Sequence, residues 1–265
     1  MRIARFASER GPEYGIVELA VDHGEHPDTI QVVSGDPFAG RVRYTGERLA
    51  LEEVRLLAPV LPRSKVVGVG QNYRSHTNEL GWEQPDFPKL FLKPNTSVIG
   101  PGEAIIKPTE CKQLDYEGEL AIVISNICRR VPRERAKDVI FGYTVGNDVT
   151  ARDLQDPKGP WLRAKGYDTF TVLGPWINAH LSPAEAGQLA ITTTVDDEVR
   201  QKGKTSEMIW DIPALIEMIS GIMTLLPGDV ILTGTPAGIG PMEPGQSVSI
   251  EIDSIGTLTN PVVAE

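Results

Sequence analysis

Glycine and proline divide this sequence into short segments and leave room for few helices. The 265 residues include 26 glycines and 21 prolines, spread along the whole chain. Between them lie short runs of apolar residues, often bounded by turn residues, and such runs are typical of strands. Strand patterns outnumber helix patterns and do not alternate with them regularly. The sequence therefore predicts a β-rich α+β fold rather than a repeating βαβ unit.

The first sixty residues have the pattern of a small β-rich unit. Strands are predicted at Arg2–Phe6, Tyr14–Val21 and Thr29–Val33. The stretch Ala58-Pro59-Val60-Leu61-Pro62 carries two prolines close together, and these oppose both helix and strand. We therefore predict a small N-terminal β-rich domain over residues 1–62 and a larger domain over residues 63–265.

The larger domain is predicted to contain more strands than helices. Its strands are predicted at Val66–Gly70, Leu120–Ser125, Phe141–Val145, Val230–Thr233 and around Val248, Ile250 and Ile252. A short helix is predicted from Asn72 to Leu80, where Gly81 ends it. The clearest helix pattern begins after Asp211, a suitable N-cap, and runs to Pro227.

Charge and cysteine content exclude several classes of protein. The formal net charge is −10 and the pI about 5.0, so a phosphate backbone would be repelled and no nucleic-acid partner is expected. The two cysteines, Cys111 and Cys128, form no CxxC motif, which fits reduced thiols in the cytosol and no thiolate zinc site. The N-terminal residues lack a long apolar segment, and no stretch is long enough to span a bilayer. We expect a cytoplasmic protein with no membrane partner.

Two glycine-rich loops lack the features of nucleotide-binding motifs. Gly68-Val69-Gly70 begins like a dinucleotide fingerprint, but Tyr73 stands at the third glycine position. The loop from Thr233 to Gly240 has no following Lys-Ser/Thr pair and is not a Walker loop. Tight turns after strands are the better interpretation, although backbone amides of the second loop could cradle a carboxylate.

The most informative stretch carries paired acidic residues before an apolar run. On a strand Glu117 and Glu119 point to the same side, and their like charges repel unless a cation or proton lies between them. Asp148 follows a second predicted strand, and three carboxylates suit a hard cation. The spacing alone fits a solvated acidic sheet edge at least as well. The apolar run after Glu119 favours a buried site.

Three segments resemble the fumarylacetoacetate hydrolase family: Tyr116–Ile124, Gly142–Asp153 and Leu232–Gly240. The resemblance extends in consistent order over residues 63–260. It implies a catalytic domain of β-roll or sandwich type and a homodimer. It also implies Mg²⁺ or Mn²⁺ bound through Glu117, Glu119 and Asp148.

A fourth segment, Val69–Glu79, resembles the lid of the family's acylpyruvase and oxaloacetate decarboxylase branch. That resemblance implies that His76 and Glu79, on one helix face, activate a water molecule. A lone His-x-x-Glu would more often be an ordinary exposed helix. The lid lacks the extra aspartate of fumarylacetoacetases proper, which argues against tyrosine catabolism. Phe87–Pro94 also resembles this branch, and Lys93 within it is open to a structural or a functional interpretation.

The resemblance assigns four further residues to the site. Lys165 matches the family's active-site lysine, and a cation there would offset the −1 left by three carboxylates and one divalent ion. Arg152 and Gln155 match groups near the metal and substrate, but Arg152 could equally hold Asp153 or a backbone carbonyl. Thr235 is expected to bind a substrate carboxylate, with a turn hydroxyl as the alternative.

These residues together predict an enzyme for small 2-oxo acids. The expected reactions are hydrolysis of an acylpyruvate or decarboxylation of oxaloacetate through a metal-bound enolate. The alternative is isomerisation of 2-hydroxyhepta-2,4-diene-1,7-dioate. A metal-free hydrolase is a weaker alternative, because Glu117 and Glu119 lie on one side of a strand rather than flanking a bond. A non-catalytic binding protein is the remaining class. The motifs do not determine which oxo acid is used.

Overall fold

Strands are the main secondary structure of the described residues, and most of the strands join one large sheet. The structure is a computed structural model that describes residues 1–20 and 26–265. The N-terminal strands are β1 (Arg2–Ser8), β2 (Gly11–Glu18), β3 (Thr29–Ser34), β4 (Arg43–Ala50) and β5 (Arg55–Leu57). The next are β6 (Val66–Gly70), β7 (Lys89–Lys93), β8 (Val98–Ile99), β9 (Ile105–Lys107) and β10 (Leu114–Tyr116). They are followed by β11 (Gly118–Ile124), β12 (Ile140–Asp148), β13 (Thr150–Ala151) and β14 (Thr171–Asn178). The C-terminal strands are β15 (Ala190–Val195), β16 (Glu198–Lys204), β17 (Val230–Leu232), β18 (Gly240–Pro241), β19 (Ser247–Ile252) and β20 (Gly256–Ala264).

Helices are short and few in the described residues, which confirms the predicted β-rich α+β class. The α-helices are α1 (Arg74–Glu79), α2 (Leu162–Lys165), α3 (Pro183–Ala186) and α4 (Ile212–Ile222). Turns of 3-10 helix cover Leu51–Glu53, Asn95–Ser97, Arg133–Val139, Arg152–Leu154 and Thr205–Glu207. Among the described residues, no helix has the length and apolar character needed to cross a membrane.

Within the described part of the chain, the strands pair into three sheets. The large sheet has the order β4-β3-β2-β1-β14-β12-β11-β17-β6-β7, with β5 also pairing with β1 and β8 with β14. A second sheet has the order β16-β15-β19-β20-β9, and a third the order β13-β10-β18. Pairing is mainly antiparallel, and β6 runs parallel to β17. The N-terminal strands join the large sheet where Ile3 pairs with Ile177. The domain boundary at residue 62 stays a prediction.

Strand β11 lies at the centre of the core. Leu120 and Ile122 pack in the main hydrophobic cluster, which also includes residues of the second sheet and α4. Ala121 and Val123, on the other face, pack in a second cluster with Leu173. Because both faces are buried, the strand is apolar at every position after Glu119, as in other fully buried strands.

Three predicted elements begin at the expected residue or within three residues of it. Strand β6 has the predicted bounds, whereas β2 begins earlier, at Gly11, and its predicted last residue Val21 lies outside the described residues. Helix α1 begins at Arg74 rather than Asn72, because Tyr73 is extended, with φ −126° and ψ 125°. The side chain of Asn72 donates to the carbonyl of Thr233 at 2.7 Å and so fixes the segment that leads into α1.

The long helix prediction was right at its start and wrong at its end. The Asp211 side chain caps α4 by accepting a hydrogen bond from the Ala214 amide. The helix ends at Ile222 and does not reach Pro227. The physical reason is a competing pairing, since Leu225 exchanges backbone hydrogen bonds with Cys128 and the chain must be extended there.

Candidate active site

The three predicted carboxylates meet where β11 begins and β12 ends. Oxygen atoms of Glu117, Glu119 and Asp148 lie within 4.8 Å of one another, and all three residues are buried. The antiparallel register of the two strands explains the meeting, because Gly118 pairs with Asn147. A solvated acidic edge is therefore excluded as the explanation of the motif.

Buried cations neutralise two of these carboxylates. The Nζ atom of Lys165 lies 2.6 Å from Glu117 and 2.7 Å from Asp148. Lys93, at the end of β7, forms a buried ion pair with Asp148. The sequence leaves the role of Lys93 open, and the structure shows that it pairs with an acidic residue of the site. Burial lowers the pKa of Lys165, but Asp148 and Glu117 outweigh it and raise that pKa above its ordinary value.

Glu119 is the carboxylate without a cation. It accepts a hydrogen bond from the Gly234 amide at 2.8 Å, and no Lys, Arg or His of the described residues forms an ion pair with it. Burial, with Asp148 and Glu117 nearby, raises the pKa of Glu119 well above its ordinary value. Burial also opposes ionisation of Glu117, but Lys165 holds the pKa of that group far below the ordinary value. A buried oxygen cluster with one uncompensated charge fits a hard divalent cation.

Arg152 links the acidic cluster to neighbouring polar groups. Its guanidinium donates to Glu117, to Asp115 at 2.7 Å and to the side-chain oxygen of Gln155. The alternative pairing with Asp153 is wrong, because that carboxylate instead accepts from two backbone amides. Burial lowers the pKa of Arg152, but Glu117 and Asp115 raise it above its ordinary value.

Helix α1 places His76 and Glu79 above the cluster. Their Nδ1 and Oε2 atoms lie 3.3 Å apart, and His76 is 6% exposed. The other oxygen of Glu79 accepts from the Gly238 amide at 2.9 Å. Partial burial would raise the pKa of Glu79, but the hydrogen bonds from His76 and Gly238 lower it overall. With Nδ1 facing Glu79, the Nε2 atom is the ring nitrogen left for a substrate.

The second glycine-rich loop, from Thr233 to Gly240, binds carboxylates of the protein itself. Its amides donate to Glu119 and Glu79, as described above. The Thr235 hydroxyl donates to the Gly118 carbonyl at 2.9 Å and accepts from Gln201 at 2.8 Å. Its proton is therefore engaged within the protein, as the turn-hydroxyl alternative implied. A substrate contact by Thr235 stays a prediction.

A narrow cavity lies between helix α1 and the carboxylates. Its lining residues are Val69, Gly70, Gln71, His76, Trp82, Phe91, Glu117, Asp148, Gln155, Trp161, Lys165 and Thr235. The aromatic wall is continuous, because the Trp161 ring lies 6.0 Å from Trp82 and 5.2 Å from Phe91, centroid to centroid. Sequence reasoning missed this wall and Gln71. The one available signal was Trp161, four residues before Lys165 and so on the same helix face.

Both parts of the chain match known families. Residues 65–263 match the family described as fumarylacetoacetate (FAA) hydrolase C-terminal. Residues 1–59 match the family described as Rv2993c-like, N-terminal.

Curated relatives cover most of the chain. Protein Rv2993c of Mycobacterium tuberculosis is 51% identical over 264 residues, which is 99% of this chain and 98% of the relative. Oxaloacetate tautomerase YisK of Bacillus subtilis is 39% identical over 254 residues, which is 87% of this chain and 84% of the relative.

Solved structures share the fold over the full length. A 5-carboxymethyl-2-hydroxymuconate delta-isomerase from Mycobacterium smegmatis has 48% identity, covers 100% of both chains and has a TM-score of 0.89. A 2-hydroxyhepta-2,4-diene-1,7-dioate isomerase from Mycobacterium marinum has 48% identity, covers 100% of this chain and 99% of that chain, and has a TM-score of 0.90. A maleylpyruvate hydrolase from Sphingobium, solved with manganese(II) and pyruvate, has 31% identity, coverage of 100% and 99%, and a TM-score of 0.79. The match over residues 65–263 and these relatives establish that the chain belongs to the fumarylacetoacetate hydrolase family.

Proposed function

We propose that this chain is a divalent-metal-dependent enzyme that moves protons on short 2-oxo dicarboxylic acids, and that it interconverts the keto and enol forms of oxaloacetate. One observation carries the proposal. A histidine oriented by Glu79 faces a cavity whose opposite wall holds a buried carboxylate cluster and Lys165. The name of the Bacillus relative, oxaloacetate tautomerase, supports the same chemistry.

Glu117, Glu119 and Asp148 would hold the metal, and Mn²⁺ or Mg²⁺ suits their oxygen donors. Manganese in the Sphingobium structure supports this choice. A bound divalent cation supplies Lewis-acid stabilisation of negative charge on substrate oxygen atoms. Lys165 keeps its proton and holds Glu117 and Asp148 in place through its two ion pairs.

His76 is the proposed base. Glu79 accepts a hydrogen bond from the protonated Nδ1, which leaves the lone pair on Nε2. In the keto-to-enol direction, Nε2 takes a proton from C3 as the electron pair moves to the C2 oxygen, and the imidazolium then gives that proton to the same oxygen to complete the enol. In the reverse direction, Nε2 removes the proton from the enol hydroxyl and delivers it to C3.

The aromatic wall of the cavity favours proton transfer over hydrolysis. Trp82, Phe91 and Trp161 line the space beside His76, and a proton shift needs no water as a second reactant. Hydrolysis of an acylpyruvate, which the sequence suggests first, needs a water molecule between His76 and the attacked carbon. Hydrolysis and decarboxylation remain alternatives that the assay below distinguishes.

Isomerisation of a hydroxy-dienedioate is the second candidate. The two mycobacterial structures described as isomerases match this chain over its whole length at 48% identity. The reaction is also a proton shift and would use the same base, but its longer substrate needs more room beside the aromatic wall.

A substrate panel tests the proposal. Purified protein with Mn²⁺ is assayed with enol-oxaloacetate, acetylpyruvate and 2-hydroxyhepta-2,4-diene-1,7-dioate, and pyruvate release is measured separately. We expect the highest kcat/KM for oxaloacetate tautomerisation. A higher value for either other substrate would replace the proposal with hydrolysis or isomerisation, and turnover of none of the three would overturn the enzymatic assignment.

A further inference from the structure

Gln201 of β16 forms a complete set of hydrogen bonds behind the site. The residue is 0% exposed. Its Oε1 atom accepts from the Gly118 amide at 3.0 Å and from the Thr193 hydroxyl at 2.8 Å. Its Nε2 atom donates to the Thr235 hydroxyl at 2.8 Å and to the Pro236 carbonyl at 2.9 Å. One side chain therefore joins β11 to the second glycine-rich loop.

The groups that Gln201 joins belong to the two halves of the site. Gly118 lies between Glu117 and Glu119 in the chain. The loop, in turn, donates its Gly234 amide to Glu119 and its Gly238 amide to Glu79. The position of the loop therefore affects the acidic cluster and the lid at the same time.

Glycines allow the close contact between β16, β11 and the loop. A Cβ atom on Gly118 would lie 2.4 Å from the Thr193 hydroxyl oxygen and 3.1 Å from Oε1 of Gln201. A Cβ atom on Gly203 would lie 2.5 Å from Cβ of Pro236, and one on Gly238 would lie 2.3 Å from the Arg200 carbonyl oxygen. The three segments pack so closely that a shift in one must move the others.

We propose that Gln201 is a positioning residue that holds the metal-binding strand and the loop in register, so that metal affinity and lid closure both depend on it. Among the described residues, it forms no hydrogen bond with helix α1 or with the side chain of a proposed metal ligand, and it acts through Gly118, Thr235 and Pro236. The metal part of this inference rests on the proposed metal centre at Glu117, Glu119 and Asp148.

Replacing Gln201 by Met keeps the approximate volume and removes all four hydrogen bonds. The Gly118 amide and the Thr193 hydroxyl then lose a buried partner, and the strand and loop are free to shift to satisfy them. Mutation of the outer-shell partners of metal ligands typically weakens metal binding by about 10- to 100-fold. We expect Gln201→Met to weaken Mn²⁺ binding by a similar factor.

The test is Mn²⁺ binding by isothermal titration calorimetry on metal-stripped protein, with kcat and KM for oxaloacetate measured on the loaded protein. Gln201→Met is expected to raise the Kd for Mn²⁺ by about tenfold or more and to lower kcat. Glu79→Gln is expected to lower kcat with an unchanged Kd, because the amide oxygen can still accept from Gly238 and only the charge beside His76 is lost. Thr235→Val, which removes one bridge between the loop and β11, should raise the Kd less than Gln201→Met.

Asn260→Ala is the matched control for a purely structural effect. Asn260 is a buried amide that donates to the Gly100 and Glu103 carbonyls, and it contacts no group of the site. Its loss should lower Tm and leave the Kd for Mn²⁺ unchanged. If Gln201→Met lowers Tm and keeps the wild-type Kd, the inference is wrong. If that variant does not fold, an unchanged Kd in Thr235→Val overturns it. Failure of the wild type to bind Mn²⁺ would instead overturn the metal centre.

Discussion

Glu119 differs from the other acidic residues of the cluster because no cation of the described residues forms an ion pair with it. Glu117 has Lys165 and Arg152, and Asp148 has Lys165 and Lys93. A buried carboxylate with one amide donor is costly to ionise. At the scale of single residues, Glu119 is therefore the carboxylate whose ionisation a bound metal ion would stabilise most.

The first prediction concerns the pH dependence of metal-free stability. The pKa of Glu119 is raised above its ordinary value of 4.5. Such a group stabilises the fold below the unfolded pKa, and this contribution is lost as pH rises through the folded pKa. Metal-free Glu119→Gln should therefore match the wild type in acid and exceed its free energy of unfolding at neutral and higher pH. Urea denaturation across this range measures the gap, and a gap that does not grow with pH contradicts the prediction.

The second prediction separates the base from the metal ligands. His76→Ala should bind Mn²⁺ as the wild type does and lose about 10²- to 10⁴-fold in kcat, as expected for loss of a general base. Calorimetry and the tautomerase assay measure the two effects separately. The division of roles is wrong if this variant loses metal as well.

At the scale of elements, the strands that the sequence predicts are those with apolar inward faces. β11 was recognised from its apolar run, and β19 from its alternation. β14 was missed, because Pro175 within it argues against a central strand, yet β14 pairs with both β1 and β12. β15 and β16 were missed because their buried positions include Thr193 and Gln201, which break the apolar alternation.

The third prediction tests the packing of β11 against β15 and β16. Gly118→Ala places a methyl group 2.4 Å from the Thr193 hydroxyl oxygen and should lower the free energy of unfolding by about 1–3 kcal/mol. The same substitution should also weaken Mn²⁺ binding, because the residues on either side, Glu117 and Glu119, are proposed ligands. Gly221→Ala is the control, since an added methyl there meets nothing within 4 Å. Equal stability of the wild type and Gly118→Ala would contradict the packing argument.

At the scale of the whole molecule, the site is assembled by sheet topology. Motif resemblance predicted the acidic residues, Lys165 and the His76–Glu79 pair. The structure places His76, Glu117, Asp148 and Lys165 on one cavity, with Glu119 in the same carboxylate cluster and Glu79 beside His76. The contacts that Lys93 and Gln201 make around the acidic cluster could not be predicted, because they depend on which strands become neighbours. β7 and β16 lie in different sheets: Lys93 of β7 pairs directly with Asp148, whereas Gln201 of β16 reaches the cluster through the Gly118 amide.

The fourth prediction concerns assembly, for which we propose the homodimer that the sequence suggests. Light scattering should give twice the chain mass of 28.9 kDa. Strand β7 ends the large sheet and carries Leu92, 50% exposed, so this edge is suited to an interface. Leu92→Glu should then lower the measured mass. A wild-type mass of one chain would contradict the proposal.

Metal binding by the acidic cluster is the central claim, and calorimetric titration of metal-stripped protein with Mn²⁺ tests it most directly. We predict one site per chain in the wild type, none in Glu119→Gln, and tautomerase activity that is lost on stripping and returns with Mn²⁺. Full activity after EDTA treatment, or wild-type Mn²⁺ binding by Glu119→Gln, would contradict the account.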